Sequence, residues 1–363
     1  MRGLVYEGRG RIRYTEHLSV REPAADEVLV RVAASGICHS DLSVVNGTIE
    51  WAAPAVLGHE GAGIIERVGA DVKGLAPGDH VALHTLANCG HCAHCEAGRP
   101  TRCRFTLGNR TQPFRLGDTP VSNFAATSTF AEYTVVKQQQ AVKIDPAIPL
   151  DLACLIGCGV LTGVGSVINR ANVATGDSAA VFGVGGIGLN VIQGLRIAGA
   201  ARIIAVDLLA AREAMAREFG ATDFIDASKD DAAERIKALL ADPVAPHAGG
   251  VDWSFECSGS APGLRSAIAS LAWGGTCVIV GTPPAGATFE VPVATMGFVD
   301  RGIIGARYGS SRPHRDVPAY LALYRNGALK LDELVTKRYR LDQHEEAFHD
   351  LEEGRLARGV FVF

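Results

Sequence analysis

Four cysteines lie close together in the first third of the chain, in the pattern C-x2-C-x2-C-x7-C. They are Cys89, Cys92, Cys95 and Cys103. Four thiolates within 15 residues can close a tetrahedral zinc site, and a site with no open coordination position is structural. Disulfide pairing and a nucleic-acid-binding zinc ribbon are the alternatives. A reducing compartment disfavours the first, and an acidic chain disfavours the second.

A glycine-rich motif follows the predicted strand Ala179–Phe182 and opens a predicted helix. Its residues are Gly183, Val184, Gly185, Gly186, Ile187 and Gly188. The first glycine of such a motif allows a tight turn, the second lets the backbone approach a pyrophosphate, and the third lets the helix pack on the strand. The helix N-terminus then presents free N–H groups to the phosphates. The motif alone is weak evidence, and chance is the alternative in a chain with 42 glycines.

The next predicted strand, Ile203–Val206, is followed directly by Asp207. An acid at this separation from the glycines is expected to bind the ribose hydroxyls and to repel a 2′-phosphate, which favours NAD over NADP. A helix cap is the alternative role for Asp207. Use of NADP remains an alternative, because the guanidinium of Arg212 could attract the 2′-phosphate.

Composition limits the class of protein. A length of 363 residues predicts two domains, and 20% charged residues is too few for a disordered chain. A net charge of −4 gives no reason to expect nucleic acid or an anionic membrane as a partner. The N-terminus has no signal-peptide pattern, and no stretch offers roughly 20 uninterrupted apolar residues, so a cytoplasmic protein is predicted.

Two types of pattern divide the chain. The first half shows short strands and turns, including Val28–Ala33 and Val81–His84. From about residue 175, β-rich runs alternate with helical segments, which predicts a doubly wound parallel sheet with helices on both faces. The six runs are Ala179–Phe182, Ile203–Val206, Asp223–Ile225, Val251–Glu256, Thr276–Val280 and Ile303–Ala306. The helical segments include Gly188–Ile197, Ala210–Phe219 and Ala232–Leu240, and mixed structure returns at Leu331–Arg340 and Glu345–Leu351.

Three further segments carry a family resemblance. They are Gly58-His59-Glu60-x2-Gly63-x5-Gly69, Ser128–Tyr133 and Ile156–Gly163. With the four-cysteine segment, they resemble the zinc-dependent alcohol dehydrogenases of the medium-chain dehydrogenase/reductase superfamily, essentially from end to end. The resemblance implies a mostly β GroES-like catalytic domain of residues 1–159, to which residues 308–363 return. A Rossmann domain of residues 160–307 is expected to bind NAD.

The resemblance also implies a second, catalytic zinc in each chain. Its expected ligands are Cys38, His59 and Cys158. Two thiolates and one imidazole leave a coordination position open, although spacing alone does not join these three residues. Asp41 is expected to brace the ring of His59, Glu60 to lie behind the zinc, and Ser40 to contact the alcohol oxygen.

The remaining contacts implied by the resemblance fall into two sets. Cofactor contacts are expected from His39, Thr162, Gly183, Gly185, Gly186, Ile187, Gly188, Asp207, Arg212, Val280, Thr282 and Arg358. The substrate pocket is expected from Ile49, Trp51, Thr85, Phe124, Ala125, Thr282 and Arg307. Thr85 and Ala125 are smaller than the residues common in relatives, which indicates room for a branched or aromatic substrate.

The implied reaction is reversible hydride transfer between a primary or aryl alcohol and NAD, with zinc as the Lewis acid. Many relatives carry a proton-relay histidine where this chain has Ser43, so the relay is expected to end elsewhere. His39 and Ser43 make the segment resemble the aryl-alcohol-oxidising and thiol-adduct-oxidising branches. The alternatives are oxidation of an S-(hydroxymethyl) thiol adduct, which detoxifies formaldehyde, and a catalytically idle nucleotide-binding protein.

A homodimer, or a tetramer built from two dimers, is also expected. Gly302–Ala306, within the segment Val291–Ala306, resembles an apolar edge strand, and pairing with its twin would remove an aggregation hazard. The alternative is an edge covered by the chain's own Leu341–Leu351 segment.

Overall fold

Residues 1–106, 111–241, 243–245 and 249–363 are described by the computed structural model, and their contacts divide the chain into two units. The first unit comprises Met1–Gly159, Arg312–Gly327 and Leu331–Phe363, and the second comprises Val160–Ser311 and Ala328–Lys330. Residues 308–311 and 328–330 were expected in the catalytic domain but belong to the second unit. One reason is that the Ser311 hydroxyl donates to the Leu161 carbonyl at 2.9 Å.

The N-terminal part of the first unit is built mainly from short strands. These are β1 (Gly3–Gly8), β2 (Arg11–Thr15), β3 (Leu18–Val20), β4 (Glu27–Ile37), β5 (Ala55–Val56), β6 (Glu60–Val68), β7 (His80–Leu83), β8 (Phe114–Leu116), β9 (Thr119–Asn123), β10 (Tyr133–Lys137) and β11 (Ala141–Lys143). The helices among and after them are α1 (His39–Val45), α2 (Ala93–Glu96) and α3 (Leu150–Ala153).

The second unit alternates helices and strands. Its elements are α4 (Leu161–Gly165), β12 (Ser178–Phe182), α5 (Gly186–Ala198), β13 (Arg202–Asp207), α6 (Glu213–Phe219), β14 (Asp223–Asp226), α7 (Ala232–Leu239), β15 (Val251–Glu256), α8 (Ala261–Ala269), β16 (Leu271–Ile279), α9 (Val293–Gly297) and β17 (Gly302–Gly305). The sheet order is β14-β13-β12-β15-β16-β17, with every neighbouring pair parallel. This is the 3-2-1-4-5-6 order of a Rossmann fold, which confirms the predicted fold class.

The chain then returns to the first unit through α10 (Pro313–Arg325), β18 (Val335–Tyr339), α11 (His344–Glu352) and β19 (Arg358–Val362). Strand β4 is central to a seven-stranded sheet, because it pairs with β6, β10 and β19. It extends beyond the predicted Val28–Ala33 at both ends and continues to Ile37. Cys38 is the first residue after this strand. A further sheet among the described residues has six strands in the order β2-β1-β5-β9-β8-β3.

One local prediction needs correction. The predicted helix Ala210–Phe219 begins as a separate 3-10 turn, Ala210–Arg212, before α6. Among the described residues, one helical stretch, Leu150–Ala171, is long and apolar enough on average to cross a membrane, although Asp151, Asn169 and Arg170 interrupt it. However, 78% of its most apolar window is buried inside the fold, as in a core helix of a water-soluble protein.

Candidate active site

The three expected ligands of the catalytic zinc meet at the end of β4 in the first unit. Cys38 follows β4, His59 precedes β6, and Cys158 lies in a π-helical turn, Ile156–Val160. Their ligand atoms and a carboxylate oxygen of Glu60 all lie within 4.8 Å of one another. The tertiary structure thus gathers two thiols, one imidazole and one carboxylate, a donor set that fits zinc.

Two glycines allow the surrounding backbone to approach this closely. A Cβ atom at Gly157 would lie 1.8 Å from the Leu83 carbonyl oxygen, so only glycine lets the Cys158 turn reach β7. A Cβ atom at Gly36 would lie 2.3 Å from Oε2 of Glu60, so only glycine leaves room for that carboxylate beside β4.

Asp41 orients His59 from the first turn of α1. Its Oδ1 lies 3.3 Å from Nδ1 of His59 and accepts the Gly58 N–H at 2.9 Å, while Oδ2 accepts the Cys38 N–H at 3.2 Å. Burial lowers the pKa of His59, but the charges of Asp41 and Cys38 raise it well above its usual value. With Nδ1–H held by Asp41, Nε2 is the nitrogen left to bind a metal.

Glu60, one of the four donors, also takes part in a buried ion pair. Nη1 of Arg358 is 3.3 Å from Oε1 of Glu60, and both side chains are almost fully buried. Burial raises the pKa of Glu60 to about 7, although the Arg358 charge opposes the rise. A hydrogen bond with Cys158 lowers the pKa of Cys38 well below its usual value. Arg358, expected at the cofactor, therefore contributes positive charge next to the thiolates.

The four clustered cysteines are positioned for a metal rather than for disulfides. The Sγ atoms of Cys92 and Cys95 are 3.6 Å apart, and those of Cys89 and Cys103 are 3.7 Å apart. A tetrahedral zinc site with Zn–S bonds of about 2.3 Å has sulfur–sulfur edges of about 3.8 Å, so the geometry fits. All four are free cysteines, which makes the disulfide alternative wrong.

Two aromatic side chains, Phe124 and Trp51, form an aromatic wall next to His59. The Phe124 ring meets the ring of His59 edge-on at 5.6 Å and that of Trp51 edge-on at 4.9 Å. Ile49 and Ala125 pack against the same hydrophobic core as Phe124.

The other expected substrate and pocket contacts are more dispersed. Ser40 Oγ lies 3.8 Å from Cys38 Sγ, and Thr85 lies two residues beyond the end of β7. Thr282 and Arg307 are exposed residues of the second unit.

The glycine motif of the second unit has the shape of a phosphate cradle. Gly183 has a φ of +90°, and a Cβ atom at Gly188 would lie 1.9 Å from the Gly183 carbonyl oxygen. At Gly185, in contrast, the nearest side-chain atom to such a Cβ would be 3.8 Å away, so the backbone here is open. Helix α5 begins at Gly186, and its first N–H groups face this opening, which suits a pyrophosphate.

Asp207 lies at the end of β13 and supports the same loop. Its Oδ2 accepts the Val184 N–H at 2.7 Å, and its Oδ1 accepts the Leu209 N–H at 3.0 Å. Arg212 donates to the Val184 carbonyl at 2.7 Å. Leu209, not Asp207, is the N-cap residue of the 3-10 turn that follows.

The other expected cofactor residues lie at element ends. Thr162 is in α4, between two π-helical turns, and Val280 directly follows β16. His39 begins α1 in the first unit and is exposed.

Sequence reasoning missed Glu256, which ends β15 and is buried. Its Oε1 accepts N–H groups from Ser258 at 2.8 Å and Gly259 at 2.9 Å, and its main-chain carbonyl accepts those of Val280 and Gly281. It therefore joins the turns after two neighbouring strands. The sequence signal that could have identified Glu256 was an acidic residue at the end of the predicted strand Val251–Glu256.

Comparisons with known proteins agree with both halves of this structure. Residues 24–146 match the family model "Alcohol dehydrogenase GroES-like domain", and residues 186–326 match "Zinc-binding dehydrogenase". The S-(hydroxymethyl)glutathione dehydrogenase of Paracoccus denitrificans is 37% identical over 95% of this chain and 95% of its own length. The chain belongs to the zinc-dependent alcohol dehydrogenase family of the medium-chain dehydrogenase/reductase superfamily. It is an oxidoreductase that uses zinc and NAD(P).

Two solved structures of this family are informative. Benzyl alcohol dehydrogenase from Acinetobacter calcoaceticus has a TM-score of 0.91 and 32% identity, with 100% of this chain and 99% of that one covered. A zinc-binding dehydrogenase from Sinorhizobium meliloti, bound to NADP, has a TM-score of 0.82 and 27% identity, with 100% and 99% covered.

Proposed function

We propose that the protein is an NAD-dependent dehydrogenase that oxidises primary alcohols, above all aryl alcohols, to aldehydes. The observation that carries this proposal is the aromatic wall beside the metal donors. Phe124 contacts both His59 and Trp51, so an apolar ring bound next to the open coordination position would find aromatic edges to pack against. The similarity to a benzyl alcohol dehydrogenase supports the same substrate class.

Cys38, His59 and Cys158 would hold the catalytic zinc, which when bound supplies a Lewis acid for the alcohol. The chain's own groups prepare the site. Asp41 keeps the proton of His59 on Nδ1. Arg358 balances the negative charge of the cysteines and of Glu60. Ser40, beside Cys38, is the group proposed to hydrogen-bond the hydroxyl oxygen of the substrate.

NAD is proposed as the preferred cofactor because of Asp207. Its carboxylate stands at the end of the second strand of the Rossmann sheet, where the ribose hydroxyls bind in this fold. A negative charge there repels the 2′-phosphate of NADP. Arg212 is the residue that could attract the phosphate of NADP. Its Nε lies 3.9 Å from Oδ1 of Asp207, so this carboxylate offsets part of the Arg212 charge.

A second candidate is oxidation of an S-(hydroxymethyl) thiol adduct. It is favoured by the comparisons, because several relatives at 37% identity are S-(hydroxymethyl)glutathione dehydrogenases. The adduct of formaldehyde and glutathione carries two carboxylates, for which Arg307 is a cation among the expected pocket residues, whereas the wall formed by Trp51 and Phe124 is apolar. The names of the relatives support the adduct at least as well as the aryl alcohol, and the position of this wall beside His59 is the reason for testing the aryl alcohol first.

We also infer a homodimer in the cytoplasm, where reduced thiolates persist. Strand β17 is the end strand of the Rossmann sheet, as the sequence predicted. The nearby Val293, Phe298 and Trp273 are 80%, 83% and 49% exposed, and such an apolar patch favours a twin subunit. The apolar side chains of Leu341–Leu351, the alternative cover for this edge, are already buried in the core of the first unit.

A substrate panel tests the proposal. Purified protein loaded with zinc is assayed with benzyl alcohol, ethanol and the formaldehyde–glutathione adduct, each with NAD and with NADP. We expect the highest kcat/KM for benzyl alcohol with NAD. A higher value for the adduct would favour the second candidate, and no turnover of any of the three substrates would contradict both candidates. Cys38→Ser should abolish turnover while the protein stays folded and binds NAD.

A further inference from the structure

One buried amide joins two separate segments of the predicted substrate pocket. The Gln140 side chain is fully buried, and its Nε2 donates to the carbonyl of Ala126 at 2.9 Å and to that of His84 at 3.1 Å. Ala126 directly follows Ala125, and His84 directly precedes Thr85. Both hydrogens of a single NH2 group are thus used on carbonyls that adjoin predicted pocket residues.

The local backbone fixes the orientation of the Gln140 side-chain amide. Gln140 ends a 3-10 turn, Gln138–Gln140, between β10 and β11, and its Oε1 accepts the Lys137 N–H at 3.2 Å. Its main-chain carbonyl accepts the His84 N–H at 3.0 Å. These hydrogen bonds hold both the side chain and the main chain of Gln140. The side-chain amide therefore has a fixed position relative to the two carbonyls to which it donates.

The pocket loop that Gln140 holds has a strained backbone. Ala125, Ala126 and Ser128 have φ values of 51°, 62° and 50°, in the left-handed region that residues with a Cβ atom seldom adopt. Such a conformation persists only where the surroundings impose it. Gln140 holds one side of this loop, and the Ser128 hydroxyl, which donates to the Val56 carbonyl at 2.7 Å, holds the other.

The same loop carries Phe124, whose ring touches both His59 and Trp51. We propose that Gln140 is a positioning residue for substrate selectivity: it fixes the aromatic wall relative to the Thr85 segment and so favours aryl over short alkyl alcohols. This inference rests on the proposed function. Gln140 does not touch the substrate and acts through the Ala126 and His84 carbonyls.

The test compares two buried glutamines in the zinc-loaded enzyme. Gln140→Met keeps the volume and removes the amide. Gln193→Met is the matched control, because Gln193 is also fully buried and donates to Asn190 Oδ1 at 2.7 Å, but it lies in α5 of the second unit. The readout is the ratio of kcat/KM for benzyl alcohol to that for ethanol at saturating NAD, with melting temperature and zinc content measured in parallel.

We expect Gln140→Met to lower this ratio by about tenfold or more, chiefly through KM for benzyl alcohol, since a displacement of about 1 Å in a positioning group can cost about 100-fold. Gln193→Met should lower the melting temperature and leave the ratio unchanged. A folded Gln140→Met variant with the wild-type ratio would overturn the inference. If that variant does not fold, Gln140→Leu, which also lacks the donor and adds no charge facing the Ala126 and His84 carbonyls, decides by the same ratio. Inactivity of the wild-type protein toward every alcohol would instead refute the proposed function.

Discussion

Oδ1 of Asp41 lies 3.3 Å from Nδ1 of His59, which is one of the four metal donors, and both side chains are buried. Asp41→Asn should therefore lower the affinity for the catalytic zinc by about 10- to 100-fold, the usual cost of losing such a partner of a metal ligand. Competition with a chelator, followed by metal analysis, measures the effect.

The zinc of the four-cysteine cluster should stay bound in the same Asp41→Asn sample, which gives an internal reference. Asp151→Asn is the control, because Asp151 is a partly exposed acid of the same unit that pairs with Arg338. Equal zinc release from wild type and Asp41→Asn would show that Asp41 does not support the ligand.

Cys95→Ser should reduce stability rather than chemistry. Loss of a closed metal site is among the few single changes that cost about 4 kcal/mol or more of unfolding free energy. Urea unfolding and zinc content are the measurements, with Cys257→Ser, a cysteine outside both clusters, as the control. A variant that has lost one zinc but unfolds at the wild-type urea concentration would contradict a structural role.

Asp207→Gly should shift cofactor preference toward NADP. Each hydrogen bond to a charged group is worth roughly 1.5–3 kcal/mol, so the ratio of kcat/KM for NAD to that for NADP should fall by at least about tenfold. Asp226→Gly is a matched control, because Asp226 pairs in register with Asp207 on the neighbouring strand and is not predicted to bind cofactor. If both variants keep the wild-type ratio, Asp207 only supports the glycine loop.

His84 should make stability depend on pH. Burial, together with the His314 charge, lowers the pKa of His84 to about 3, so between that value and about 6.5 the unfolded chain binds a proton that the folded chain excludes. Stability is therefore complete above about pH 6.5 and decreases as the pH falls, by about 2 kcal/mol at pH 5. Urea unfolding of wild type and His84→Leu at pH 8 and pH 5 tests this. Equal losses in the two proteins would assign the effect to other groups.

The dimer prediction concerns the apolar patch near β17. Light scattering at micromolar concentration should give twice the chain mass of 38.1 kDa, and Phe298→Asp should give the monomer because a charge there would be buried in the interface. Val244→Asp, at another strongly exposed apolar residue, should leave the dimer intact. A monomeric wild-type protein, or a dimer that tolerates Phe298→Asp, would place any contact elsewhere.

Motifs that are contiguous in the chain could be interpreted from the sequence alone. Cys89 and Cys103 are separated by 13 residues, so the four thiols between and including them can share one metal in almost any fold. The turn at Gly183 and the acid at Asp207 belong to one βαβ unit, whose local geometry is nearly invariant. The doubly wound parallel sheet was predicted from this periodicity, whereas its strand order is known from the tertiary structure.

The tertiary structure decided which distant residues meet. Cys38, His59 and Cys158 are brought together only because β4, β6 and the Leu150–Ala171 helix converge, and no spacing rule contains that information. The burial of Arg358 against Glu60, and the bridge from Gln140 to Ala126 and His84, likewise depend on packing between elements far apart in the chain. Local sequence determines the conformation of a turn or a strand, whereas hydrogen bonds between buried groups depend on side-chain positions that only the complete core defines.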